Sequence, residues 1–232
     1  MIKKEPFKRD SNPKKVVIWG ASGFALVIAD IIRMRKELVL AGYLDDINPQ
    51  RKGEQFAGST VLGGREQLEQ LAGAGVKNII LGFGDCKGRL KLGSFLKQLE
   101  FSLASALHPN AVIAQDAWLG EGLMVGAGTV IDPLVTIGNY CIVNRGALVG
   151  HESIIEEGVN IAPGVNVGGK VSIGRGTFLG IGSTVISNIK IGGNVIIGAG
   201  SVVVKDIPDN VVAYGAPAKI IKDNGDNGNT EN

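Results

Sequence analysis

The 232-residue sequence predicts two folds in series, a small open parallel α/β sheet followed by a three-sided parallel β-helix. Three observations carry that reading. Strand and helix patterns alternate over residues 14 to 106; a six-residue register with Ile, Leu or Val in first place then runs without insertion from Leu107 to Pro208; and 35 glycines accompany only 2 Trp, 3 Tyr and 7 Phe. Glycine at that level without a Pro or Ser excess is no linker. It marks a repeat whose corners need small residues.

In chain order, residues 1 to 13 are charged and polar and are expected to form a disordered tail. The run KVVIW (15–19) reads as a strand, and GASGFALVIADIIRM behind it as a Gly-rich turn leading into a helix. LVLAGYLDD (38–46) is a second strand ending in two aspartates, and VKNIILGFGD (76–85) a later parallel strand before the helical KGRLKLGSFLKQLE. Alternation of this kind makes a small Rossmann-like domain over residues 14 to 106. Gly20, Ala21, Ser22 and Gly23 open the first helix. Either they place a phosphate at its N-terminus, or they merely make a tight turn. Asp45 and Asp46 stand where a dinucleotide-binding acid meets a ribose hydroxyl, yet position 25, the third glycine of that fingerprint, is Ala25. A mononucleotide or nucleotide-linked sugar suits so short a module better than a dinucleotide.

From residue 107 to 222 each hexad is expected to supply one short strand and one corner, with the aliphatic first residue and the small fifth residue filling a prism interior. Glycine, common in second place, relieves the corner backbone. Three hexads close a coil, so residues eighteen apart stack at about 4.8 Å. The last ten residues, 223 to 232, read DNGDNGNTEN and form a second expected tail.

His151 is one of only two histidines. As third residue of its hexad it sits on a corner outside the prism, either as a plain solvated residue or as a base. One coil on, Gly169 leaves room for a ligand to approach a backbone N–H above the imidazole, and Ser187 and Lys205 continue the column. A base beside a backbone donor is what acyl transfer from a thioester needs. Glu152 is placed to hold the ring's proton-bearing nitrogen.

Composition narrows the partners. Lys+Arg 24 against Asp+Glu 22, with no basic block, argues against nucleic acid, and the absence of a long apolar run argues against a membrane span. A cytoplasmic protein is expected. Cys86 and Cys141 are too few for a disulfide framework and are read as free thiols; no spacing suggests a metal.

The order of a Gly-rich βα module, then ALHPNAVIA, then VNRGALVGHESIIEEGVNIAPGVNVGGKVSIGRGTFLGIGSTV, then VVKDIPDNVVAYGAPAK resembles the sialic acid O-acetyltransferase-like family of sugar acyltransferases. That family includes acetyl-CoA-dependent N-acetyltransferases of nucleotide-linked 4-aminosugars of the bacillosamine and perosamine type. The likeness spans residues 14 to 222 and implies a left-handed parallel β-helix and a homotrimer with acetyl-CoA held between subunits. It implies His151 as general base, Glu152 as its partner and the Gly169 amide facing the thioester carbonyl. Coenzyme A contacts carry over to Ile181 and Ala199, to Lys205 or Lys219 for phosphates, and to Asn160, which stands where the family has a second histidine. The nucleotide-sugar site carries over to Gly20, Ala21, Ser22, Gly23, Asp45 and Asp46, with Arg89 as a further candidate. This chain departs from the family's GASGHGK loop by reading Phe24-Ala25-Leu26 after Gly23. His108 reads as a structural cap. O-acetylation of a hydroxyl and a non-catalytic trimeric scaffold remain the competing functions, while a zinc enzyme of the β-helical carbonic anhydrase type lacks its third histidine.

Overall fold

The computed structural model describes residues 13–225. Its first domain runs β1 (Lys14–Trp19), α1 (Gly23–Met34), β2 (Leu38–Leu44), β3 (Gln55–Phe56), β4 (Ser59–Gly63), α2 (Leu68–Gly73), β5 (Asn78–Leu81), α3 (Cys86–Gln98) and β6 (Ser102–Leu103). The strands form one sheet in the order β3-β4-β2-β1-β5-β6, parallel except where β3 turns back on β4. The three strands read from the sequence are its centre. The β3–β4 hairpin, α2 and β6 were not read from it, because segments of two to six residues carry too little periodicity.

Helix α1 buries Ala25, Ile28, Ala29 and Ile32, a stripe at helical spacing. That stripe covers Val16, Ile18 and Tyr43 of the sheet and continues onto Ala106, Met124 and Ile142 of the second domain. One apolar cluster therefore joins the two domains.

The second domain is a parallel β-helix of two-residue strands. In each, the sixth residue of one hexad points out and the first residue of the next points in, and strands eighteen residues apart pair in parallel, as Leu148↔Asn166 and Val149↔Val167 do. Three faces result. The domain face carries Ala106–Leu107, Met124–Val125, Ile142–Val143 and Asn160–Ile161 under the first domain; the second face includes Val130–Ile131, Leu148–Val149 and Asn166–Val167; the third includes Thr136–Ile137, Ile154–Ile155 and Ser172–Ile173. The inward aliphatic residues form a continuous dry core. Small fifth residues have a second use: buried Ser153 donates to Gly168 O at 3.1 Å and accepts from Val171 N at 3.1 Å, which ties adjacent coils together.

The corner glycines do two jobs, which corrects the expectation that second-place glycine relieves the corner backbone. A Cβ on second-place Gly150 would stand 2.5 Å from the Gly168 carbonyl carbon of the next coil, so glycine there permits close stacking. The left-handed backbone falls instead at fourth place, where every corner from Gly122 to Gly200 has φ between +53° and +68°.

The eighteen-residue spacing ends sooner than the register suggests. Ile191 pairs with Ile207 and Ile196 with Val212, each sixteen residues on, so the last coil is two residues short. An antiparallel pair, Val211–Gly215 with Ala218–Asp223, closes the prism. Asn224 Nδ2 then donates to Asn194 O at 2.8 Å, so residues 223–225 belong to the fold rather than to a tail. The rest of both expected tails, residues 1–12 and 226–232, lies outside the described residues. Among the described residues no helix is long and apolar enough to cross a membrane.

Candidate functional site

His151 lies on the vertex between the second and third faces, between the strands Leu148–Val149 and Ile154–Ile155. Its side chain is 57% exposed, and Nδ1 stands 3.0 Å from Glu152 Oε1. Glu152 occupies the left-handed fourth place of the corner at φ 60°, a conformation that costs a non-glycine residue of order 1 kcal/mol. The corner backbone thus turns the carboxylate back onto the imidazole. With Glu152 on Nδ1, Nε2 is the ring nitrogen that faces Gly169 of the next coil.

Gly169 stands one coil above, and a Cβ there would lie 2.5 Å from His151 Nε2. The glycine therefore makes room for the imidazole itself. Its N–H donates to Ser187 Oγ at 3.2 Å, in the same column. An imidazole, a carboxylate beside it and a backbone donor are gathered within two coils, and Lys170 Nζ lies 3.8 Å from the same Glu152 oxygen.

The other candidates fall elsewhere on the prism. Ile181, 61% exposed, and Ala199 share the vertex between the domain and second faces, across the whole second face from His151. Lys205 stands on the His151 vertex in the shortened last coil, and Lys219 lies in the closing strand Ala218–Asp223. Asn160 projects from the domain face, 7% exposed, with Nδ2 donating to Gly84 O of the first domain at 3.0 Å. That bond ties Asn160 to the domain joint. His108 Nδ1 accepts from Asn110 N at 3.0 Å, as a cap does.

In the first domain a cleft of about 640 Å³ opens at the ends of β1 and β2, bordered by Gly20, Ala21, Ser22, Asp45 and Asp46. Gly20 has φ +119°, and a Cβ there would meet Gly82 O at 2.8 Å, so the turn requires it sterically. Gly23 has nothing within 4 Å of a Cβ, so no internal packing explains it. Ser22 stands at the N-cap of α1 but makes no capping hydrogen bond. Phe24 packs on the apolar cluster, Ala25 is fully buried and Leu26 is exposed, so the departure from the family's loop leaves no cation on this turn.

Asp45 is turned toward its own loop and Asp46 toward the loop that follows β4. Asp45 Oδ1 accepts from Ile47 N at 3.0 Å and Asn48 N at 3.1 Å, while Oδ2 faces Asn48 Nδ2 and Arg51. Its oxygens shape the turn, which corrects its reading as a free ribose acceptor. Asp46 holds Arg65, accepting from its N–H at 2.6 Å and from its guanidinium at 2.9 and 3.1 Å. Arg51 donates to Ala21 O at 2.5 Å and is gripped by Glu54 through two 2.8 Å bonds, an arrangement that holds the guanidinium above its usual range. Lys91 on α3 also borders the cleft, and among the described residues it is the cleft cation without a protein partner. Arg51, Arg65 and Lys91 escaped the sequence reading because they lie in no motif; the helical spacing of α3 was the one signal available for Lys91.

Arg89 is corrected from a substrate ligand to a joint. It is 1% exposed, and its guanidinium donates to Tyr140 O at 2.9 Å and Gly158 O at 2.9 Å in the β-helix and to Gly84 O at 2.6 Å beside α3. Burial lowers its pKa, with the neighbouring Cys86 thiol opposing that shift. Tyr140, packed where a Cβ on Gly93 would fall, and the Lys97–Glu121 ion pair complete this seam. Among the described residues no group of three His, Cys, Asp or Glu side chains could hold a metal ion.

The PglD N-terminal domain family matches residues 15–94, and the bacterial transferase hexapeptide family, with six repeats, matches residues 170–205. A mutant of perosamine N-acetyltransferase from Caulobacter crescentus, solved with CoA and GDP-perosamine, is 36% identical, with a TM-score of 0.83 over 90% of this chain and 97% of that one. The acetyltransferase domain of PglB from Neisseria gonorrhoeae is 29% identical, with a TM-score of 0.81 over 90% of this chain and 100% of that one. WeeI from Acinetobacter baumannii is 25% identical with a TM-score of 0.76 over the same shares. No curated protein matches. The fold is accordingly a Rossmann-like domain followed by a left-handed parallel β-helix.

Proposed function

The chain belongs to the hexapeptide-repeat sugar acetyltransferases that carry a PglD-type N-terminal domain, and we propose that it moves the acetyl group of acetyl-CoA onto the amine of a UDP-, dTDP- or GDP-linked 4-aminosugar, with His151 as base. One observation carries the reading: the 3.0 Å contact of His151 with Glu152, its ring lodged in the space left by Gly169. The complexes of the perosamine enzyme with CoA and GDP-perosamine, and of the PglB domain with acetyl coenzyme A, support the pair of substrates. Such substrates fit a cytoplasmic enzyme.

In this mechanism Glu152 keeps the proton on Nδ1, which leaves the Nε2 lone pair free. The amine nitrogen attacks the thioester carbon, the C–S bond breaks, and the amine proton passes to Nε2 and on to the departing thiolate. The Gly169 N–H faces the oxygen on which charge develops, exchanging Ser187 Oγ for it.

The prism supports a site shared between protomers. The first domain, with its cleft, covers the domain face, whereas His151 stands on the opposite vertex. A sugar held in the cleft is thus screened by the prism from the histidine of its own chain. Val112, Leu148 and Ile186 leave the second face and its vertex apolar and exposed, a surface suited to packing around a threefold axis. A homotrimer with the cleft of one protomer facing His151 of the next satisfies both facts.

The test is a panel of UDP-, dTDP- and GDP-linked 4-aminosugars with acetyl-CoA, following thiol release, beside His151→Ala. Release with one aminosugar, falling roughly 10²–10⁴-fold in the variant, is expected. Release only with hydroxyl acceptors would replace N- by O-acetylation, silence would favour the scaffold, and a variant at full rate would remove His151 from the chemistry.

A further inference from the structure

The pair at the vertex is joined by a third charged group. Glu152 Oε1 stands 3.0 Å from His151 Nδ1 and 3.8 Å from Lys170 Nζ, so one oxygen faces both cations-to-be. The geometry is built into the coil. Lys170 is the residue stacked directly on Glu152, eighteen positions on, and both occupy left-handed fourth places, with φ 60° for Glu152 and 58° for Lys170. The Lys170 N–H also donates to His151 O at 2.8 Å, which fixes its backbone to the corner that carries the base. A lysine in that backbone conformation carries a cost that glycine or asparagine avoids, and no other side chain is held by it.

The geometry points to Lys170 as a positioning residue of the acetyl transfer, which holds the Glu152 carboxylate against His151 and shares its negative charge. This inference rests on His151 being the base. When His151 takes up the substrate proton, Lys170 repels the new charge and favours its onward passage to the leaving thiolate. The other charged groups around the ring on this vertex are acidic or distant: Asp132 and Asp116 lie in the coils below, with Asp116 Oδ1 accepting from Leu134 N, while Lys205 and Asp206 stand three coils above, with Asp206 accepting from Lys190 N. Among the described residues Lys170 is the cation on this vertex within one coil of His151.

The experiment compares wild type, Lys170→Met and Lys170→Arg by the pH dependence of kcat/KM with the best aminosugar of the panel. The ionisation of the substrate amine is common to all three enzymes and cancels. In the methionine variant the acid limb of the profile is expected to move up by about 0.5 pH unit, the order expected on removing one exposed charge that faces the same carboxylate oxygen. Activity below the limb then falls about threefold while the alkaline plateau changes less, and the arginine variant restores the wild-type limb. Superimposable profiles, or a loss equal at every pH that arginine does not restore, would overturn the role of Lys170. Melting temperature is read alongside, and a methionine variant that loses fold but whose arginine counterpart also shifts the limb would likewise overturn it. If wild type transfers nothing, or His151→Ala retains its rate, the proposed function fails instead, and the two failures are distinct.

Discussion

The vertex around His151 and the cleft of the first domain present the same kind of problem, a few polar side chains on a scaffold, and the chain solves them differently. On the vertex the neighbours of a residue are those eighteen positions before and after it, because strands such as Leu148–Val149 and Asn166–Val167 pair in fixed register. In the cleft the neighbours come from loops that follow β1, β2, β4 and β5, and no spacing in the sequence relates them. A periodic backbone turns sequence distance into spatial distance; an open sheet leaves its loops to choose their own partners. Asp45 and Asp46 chose Asn48, Arg51 and Arg65.

The sharpest way to break this contrast is Gly169→Ala. The added methyl would sit 2.5 Å from His151 Nε2 and 2.8 Å from Cε1, so the ring must leave its place beside Glu152. Gly169 has no positive φ that would strain an alanine, so folding should survive. Turnover is expected to fall on the order of 10²-fold or more, approaching the loss in His151→Ala, with an unchanged melting curve. A variant that keeps its rate would show that the column does not set the position of the base.

The seam between the regions should respond next, and through stability. Arg89→Met removes the donor that three carbonyls share and leaves Tyr140 O and Gly158 O buried without it, while Gly84 O keeps the Asn160 amide. A loss of about 3 kcal/mol in urea unfolding is expected. If the loss is instead a change in KM for the sugar with unchanged stability, Arg89 acts in the cleft as the sequence reading had it.

Within the cleft, Lys91→Met is expected to raise KM for the nucleotide sugar about tenfold at unchanged kcat, the signature of lost ground-state binding by a cation with no protein partner to rearrange. Arg51→Met, by contrast, should disturb the Gly20–Ser22 turn, because Arg51 is bound to Ala21 O and Glu54. Equal effects from the two would erase the distinction between binding and framing side chains there.

How much of this was legible in the sequence follows the same line. The unbroken aliphatic first place gave the prism, and the eighteen-residue column brought Gly169 to His151, because both follow from period alone. Even there, period alone does not show that the missing Cβ of Gly169 houses the imidazole, a matter of side-chain size. The first domain was legible in its three long central strands. The burial of Arg89 was not, since an Arg following GFGDCKG looks solvent-exposed until the β-helix docks on it. The bond of Asn160 to Gly84 was not legible for the same reason, its outward place on the prism being covered by the other domain.

The smallest expected effect uses the two thiols as reporters of the two regions. Burial raises both, Cys141 inside the prism being pushed up to about 12 while Cys86, at the seam beside Arg89, is raised with that guanidinium opposing the shift. Thiolate is the reactive form, so neither should react with iodoacetamide at neutral pH while the fold holds. The sign for stability follows: each thiol stays protonated in the fold to higher pH than in the unfolded chain, so its contribution is complete below about 9 and falls as pH rises above it. Between pH 8 and pH 10 the chain should lose about 1 kcal/mol more than a Cys141→Ala variant loses over the same range. Cys86, 9% exposed, becomes reachable when the seam opens locally, whereas Cys141, 1% exposed, needs a coil to unwind. Slow labelling at pH 9 should therefore modify Cys86 first, and Arg89→Met should speed Cys86 while leaving Cys141 nearly unchanged. Labelling of both at one rate would mean that the prism and the α/β domain open together, and that the docking seam does not open on its own.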